Sequence, residues 1–368
     1  MNQTLLNILC FCCLFFFGGK SSVLANNLTT KSSVPQKANT IFQTLSADEL
    51  ITINLKVNLD SVLFHKKTNK YLPAQLTYLS VTGQNIQTNI KVKARGRSRR
   101  KYCDFPPLKI KFDKEELAAY GISGSHKSLK LVTHCTEGTS ALQNVLEEFL
   151  AYKMYNELTN SSLKVQLVRI NYQDSESATV LEKYAFLIED IDELAERLGG
   201  KEVEGFGKEM EQFDTETMNI FATFQFMIGN EDWRLPFMRN VKFVALNSGE
   251  LLPIPYDFDA SGLVFAKYAA PDRDLQLESV RQRAFMGRFE SKEERAEMVQ
   301  LFNDRKKQIY RTVENFDFMN RVAKQNVIAY LDSFYEIINT NRMLKMAMPL
   351  KGREPMPTDT DGDYITSR

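Results

Sequence analysis

Four side chains with metal-ligating or proton-transfer chemistry fall in two neighbouring stretches. Asp232 and Asn240 lie in GNEDWRLPFMRNVKFV (residues 229–244), and Asp257 and Asp259 in GELLPIPYDFDASG (residues 249–262). Each stands beside an aromatic residue or an expected strand. Carboxylates and an amide at strand ends suit a hard divalent cation such as magnesium, which takes oxygen ligands and keeps part of its water shell. The same residue types also favour turns, because Asp and Asn side chains bond their own backbone. Spacing alone leaves both readings open.

The chain has 368 residues, enough for one large two-lobed domain or two smaller ones. Its net charge of +1, with 25% charged and 43% hydrophobic residues, is that of an ordinary globular protein and gives no electrostatic case for a nucleic-acid partner. The run LLNILCFCCLFFF (Leu5–Phe17), followed by SVLA ending at Ala25, has the length and small-residue end of a signal peptide. Residues 1–25 are therefore expected to direct export to the periplasm, cell surface or medium, with an uncleaved anchor as the alternative reading. No later stretch is long and apolar enough to span a bilayer. Cleavage near Ala25 leaves Cys103 and Cys135, an even pair that suggests one disulfide in an exported chain. The three histidines show no ligand spacing for zinc.

Residues 26–46 are polar and read as a linker. Alternating apolar and polar residues predict strands in ITINLKVNLDSVLF, AQLTYLSV, NIKVKARG, PLKIKF and KSLKLVTH, with a short helix or turn at DKEELAAYG. The period then changes: Leu142, Val145, Leu146, Phe149, Leu150, Met154 and Leu158 form a helical stripe. Strands VQLVRINY and EKYAFLIED follow, and most of residues 191–346 reads as helical, interrupted by the Asp-bearing strand pair. Residues 347–368 read as a disordered tail. This order predicts an α+β chain with an atypical protein-kinase-like two-lobed fold: a β-rich N-lobe (47–190) with one long helix and a mainly helical C-lobe (191–346).

Several segments resemble the spore-coat protein H (CotH) kinase-like family. They are KARGRSRRKYCDFPPLKIKF, LEEFLAYKMYNELT, YAFLIEDID and, most specifically, GNEDWRLPFMRN with LLPIPYDFDASG, together spanning about residues 90–265. The resemblance implies ATP-dependent phosphoryl transfer, in which positioning and charge neutralisation lower the barrier. It makes Asp232 the base or orienting carboxylate for an acceptor hydroxyl, and Asn240 and Asp257 ligands of magnesium or manganese, with Asp259 sharing that role or capping a turn. Glu148 would orient a phosphate-binding lysine, with Lys111 or Lys109 preferred to Lys130. Arg95 and Ser98 would contact phosphate oxygens, while Arg97, Arg99 and Arg100 read as a solvated basic turn. Backbone groups at Ile188 and Glu189 would bond adenine. The implied activity is transfer of phosphate from ATP to a hydroxyl of a protein substrate outside the cytoplasm. The alternative is a pseudokinase or envelope-binding module without turnover, since fold does not settle function. A two-metal hydrolase built on Asp232, Asp257 and Asp259 ranks third, because it leaves Glu148 without a role.

Overall fold

The computed structural model describes residues 38–96 and 99–352, and from Ala38 onward the chain forms one compact unit. The expected signal peptide and Ser98 lie outside the described residues. Seven strands, β1 (Ile51–Val57), β2 (Leu72–Leu79), β3 (Asn85–Ala94), β4 (Leu108–Phe112), β5 (Ser128–Val132), β6 (Val165–Asp174) and β7 (Val180–Ile188), close into a barrel in the order β1-β2-β3-β4-β5-β7-β6. Neighbours are antiparallel except at the seam, where β1 runs parallel to β6 from Ile51 opposite Val168 to Val57 opposite Asp174. Successive strand residues face opposite sides of a sheet. Thus β3 buries Ile86, Thr88, Ile90, Val92 and Ala94, while the residues between them stay open or half-buried. Ile53, Leu55, Leu76, Leu108, Ile110, Leu129, Ile170 and Leu187 join the same buried cluster.

The helices are α1 (Ile41–Thr44), α2 (Leu59–Phe64), α3 (Arg99–Tyr102), α4 (Lys114–Ala118), α5 (Thr139–Leu158), α6 (Ile191–Arg197), α7 (Thr215–Ile228), α8 (Lys292–Glu314), α9 (Arg321–Asn339) and α10 (Asn341–Ala347). A second, antiparallel sheet has the order β10-β9-β8, formed by β8 (Gly200–Val203), β9 (Val241–Leu246) and β10 (Leu251–Pro255). The second half of β7 is buried on both faces: Ala185 and Leu187 belong to the barrel cluster, whereas Phe186 and Ile188 join Leu146, Phe149 and Leu150 of α5 in the second core. Helix α5 therefore buries more than one face, including both Glu147 and Glu148. A helix enclosed in this way carries apolar residues around most of its circumference.

This architecture corrects the two-lobed, protein-kinase-like expectation. The sheet region closes as a seven-stranded barrel, and the remainder is not a helical lobe but helices with a three-stranded sheet. Periodicity identified most strands but not their neighbours, and closure depends on the β1–β6 pairing between segments more than a hundred residues apart. Three local expectations also change. LDSVLF is helical rather than extended, because the Asn58 side chain caps α2 by accepting the Ser61 N–H at 2.7 Å. The expected linker ends in a packed turn, with Ile41, Phe42 and Leu45 buried. The expected tail begins inside the core: Ala347 and Met348 are buried, and the Lys351 N–H bonds the Phe289 carbonyl. Residues 353–368 lie outside the described residues. No described helix is long and apolar enough to cross a membrane.

Candidate functional site

The site begins where α7 stops. Asp214 caps the start of this helix by accepting the Thr217 N–H, and Gly229 ends it in the left-handed region at φ 59°. Glycine is required there: a Cβ would lie 2.0 Å from the Tyr330 hydroxyl oxygen. The exit segment is then fixed by its own side chains. Asn230 donates to Gln225 Oε1 at 2.9 Å and accepts the Asp232 N–H at 3.2 Å, so Asp232 leaves the helix end in a defined direction. Backbone bonds between Arg234 and Arg239 close a short loop that returns the chain to Asp232. Asn240 donates through Nδ2 to the Asp232 carbonyl at 2.6 Å and to its carboxylate Oδ2 at 2.9 Å, while Arg239 forms an ion pair with Oδ1.

Asn240 precedes β9, and Asp257 follows β10 by two residues. Val241 opposes Pro255, and the Tyr256 N–H bonds the Asn240 carbonyl, so the hairpin ends together. Asn240 and Asp257 adopt φ values of 52° and 66°, a region in which non-glycine residues are uncommon. The Asp257 N–H is held by the Tyr152 hydroxyl of α5 at 2.8 Å. Such strain persists when surrounding contacts enforce it, and it concentrates at functional positions.

Arg99 is the central cation. It donates from Nε to Asp259 Oδ2 at 2.7 Å, and from Nη2 to Asp257 Oδ1 and Glu148 Oε2, each at 2.9 Å. Tyr268 also donates to Asp259 Oδ2 at 2.9 Å. Glu148 is paired with Arg99 rather than with a lysine; burial pushes its carboxyl up to about 8 despite the guanidinium, with Asp259 and Asp257 adding to the rise. Burial also raises Asp257, against Arg99, and lifts Asp232 to about 6, where Arg239 opposes the rise and Asp259 and Asp257 reinforce it.

The lysines separate by position. Lys93, Lys109 and Lys130 oppose one another across β3, β4 and β5, and so share the outer face of the barrel. Lys111 is exposed, with its ammonium 5.8 Å from the Tyr71 ring centroid. Lys130 faces the Tyr256 ring at 5.4 Å and is lowered to about 8, first by burial and then by the charge of Arg95. Besides Arg99 and Asp259, Arg95 and Lys130 are the charges acting most on Asp257. The structure therefore brings together Asp232, Asn240, Asp257, Asp259 and Glu148, with Arg95 and Lys130 near Asp257. Lys109 is a neighbour of Lys130, and Lys111, on the same face of β4, lies with Lys93 at the Tyr71 ring. Glu189 is occupied: its N–H bonds the Lys164 carbonyl at 2.9 Å, and its carboxylate holds the Lys164 N–H and Arg197. The Glu189 donor expected for adenine is thus already paired.

Tyr268 and Arg239 were not singled out by the sequence, and Arg99, expected in a solvated basic turn, is instead buried and paired with three carboxylates. For Arg99 a signal existed: it lies four residues before Cys103, one helical turn, and so shares the inward face with the disulfide cysteine. The Cys103–Cys135 disulfide is present, closing a separation of 32 residues. Two clefts, of about 540 and 410 Å³, share Asp48 and Lys153 and include none of the cluster residues. The expected magnesium ligands are differently engaged: Asn240 turns its amide onto Asp232, while Asp257 and Asp259 each give an oxygen to Arg99. Among the described residues, no group of three His, Cys, Asp or Glu side chains is placed to hold a metal ion. This arrangement does not fit a ready-made magnesium site. Comparison of the chain with protein-family models and with curated proteins finds no match.

Proposed function

We propose that the cluster binds ATP and transfers its terminal phosphoryl group to a hydroxyl of a protein acceptor, outside the cytoplasm. The observation that carries this reading is a chain of contacts: Asn240 donates to the Asp232 carboxylate at 2.9 Å and its carbonyl accepts the N–H of Tyr256, the neighbour of Asp257, while the Lys130 ammonium lies 5.4 Å from the Tyr256 ring centroid. Asp232, 30% exposed and oriented by Asn240, has a proton affinity suited to accepting a hydroxyl proton near neutral pH. As that proton leaves, the acceptor oxygen bonds the terminal phosphorus, the bridging P–O bond breaks, and the diphosphate formed carries charge that Lys130 and Arg95 can meet. The order of Asp232, Asn240 and Asp257 resembles that of the spore-coat protein H kinase-like family, and this resemblance supports the same reaction. Magnesium has no preassembled set of protein ligands here and is given no step. The disulfide supports an oxidising compartment and hence export.

A second reading, nucleotide binding without turnover, is favoured by the engagement of Asp257 and Asp259 with Arg99. Calorimetric titration of the full chain with ATP, beside Lys130→Met, tests the shared element of both. At least a tenfold loss of affinity in the folded variant is expected; unchanged affinity removes Lys130 from the site, and no binding by wild type overturns both readings.

A further inference from the structure

We infer that Arg99 is the resident cation of this cluster, its guanidinium joining Asp257 and Asp259, the carboxylates expected from the sequence to hold a divalent ion. The inference concerns the same cluster as the proposed phosphoryl transfer but does not require that the transfer occur. One guanidinium reaches three carboxylates, and its fork supplies separate N–H groups to Asp257 and Asp259. Asp259 Oδ2 receives two donors, Arg99 Nε and the Tyr268 hydroxyl, so its lone pairs face hydrogens rather than a metal. A metal ion placed at that oxygen would confront both donors and the positive charge of Arg99.

Arg99 is also anchored. Its side chain is 9% exposed, its carbonyl accepts the Cys103 N–H at 2.9 Å, and Cys103 is bonded to Cys135. The Asp104 N–H then bonds the Cys135 carbonyl at 2.8 Å, and Lys66 donates to the Cys103 carbonyl at 3.0 Å. On the other side of the turn, Arg100 donates to the Gly96 and Thr68 carbonyls. Displacing the guanidinium therefore means disturbing a segment tied at both ends.

The test is a manganese titration read by electron paramagnetic resonance on the full chain with its disulfide intact and nucleotide absent. Wild type and Asp257→Asn are expected to bind manganese equally weakly. Arg99→Met, a neutral replacement of similar length, is expected to bind one ion at least tenfold more tightly, and Arg99→Met/Asp257→Asn to lose it. A stoichiometric manganese site in wild type that Asp257→Asn abolishes would overturn the inference, as would a folded Arg99→Met that gains nothing. Should Arg99→Met fail to fold, the comparison of wild type with Asp257→Asn decides alone. ATP affinity of Lys130→Met in a chelator separates the two ideas: it reports on the nucleotide reading whatever the manganese result.

Discussion

Glu231, the neighbour of Asp232, allows the burial of charge beside the cluster to be measured. It is 7% exposed, and its Oε1 accepts the Ala284 N–H at 3.1 Å. Burial raises its carboxyl to about 8, with the Ala284 bond and Arg283 opposing the rise only in part. An unfolded glutamate titrates near about 4.3. Between these values the folded state binds the proton more tightly than the unfolded state. The stability associated with protonated Glu231 is therefore fully present below the unfolded value and is lost as pH rises through the folded one, at about 1.4 kcal/mol per pH unit. From pH 5 to pH 8 the loss approaches about 4 kcal/mol. Glu231→Gln keeps the Oε1 acceptor for Ala284 but cannot ionise. Urea unfolding of both proteins at pH 5, 6.5 and 8 is expected to show the variant gaining on wild type as pH rises, because the difference removes the contribution of every shared group. Parallel pH profiles would refute the reasoning, since they would mean that Glu231 gains no proton on folding.

Two further predictions concern the frame of the site. Replacing both Cys103 and Cys135 by Ala opens a loop with a sequence separation of 32, for which the chain-entropy relation gives about 4 kcal/mol of lost stability; denaturant unfolding under non-reducing conditions measures it, and an unchanged midpoint would contradict a stabilising crosslink. Gly262→Ala sets a Cβ 2.3 Å from the Tyr330 hydroxyl oxygen and 2.5 Å from the Val280 carbonyl, so about 1–3 kcal/mol of destabilisation is expected in a thermal melt, and a neutral result would show that the loop yields freely.

Much of the local structure was legible because it is local. The stripe from Leu142 to Leu158 becomes α5, and the alternation in NIKVKARG becomes the outward lysines and inward Ile90 and Val92 of β3. Barrel closure was not legible, since the register between β1 and β6 is written in neither strand alone. The same distance hid the cluster's cation: Arg99 meets Glu148, Asp257 and Asp259 across 49, 158 and 160 residues, and within ARGRSRR nothing in residue type separates it from the other arginines. Lysine choice failed to be decidable for a related reason. Lys109, Lys111 and Lys130 all alternate outward, and only the packing of β5 beside Tyr256 gives Lys130 its half-buried setting against that ring.

The most direct measurement is ATP turnover with a labelled terminal phosphate, followed from pH 5 to pH 8 in wild type and Asp232→Asn. With Asp232 raised to about 6 by burial, it must lose its proton to act as base, so wild-type turnover is predicted to rise through about pH 6 and then level, while the variant, which keeps an oxygen for Asn240, stays inactive throughout. Turnover by Asp232→Asn equal to that of wild type would contradict the assignment of the base, and an ATP-binding wild type with no turnover at any pH would contradict phosphoryl transfer itself.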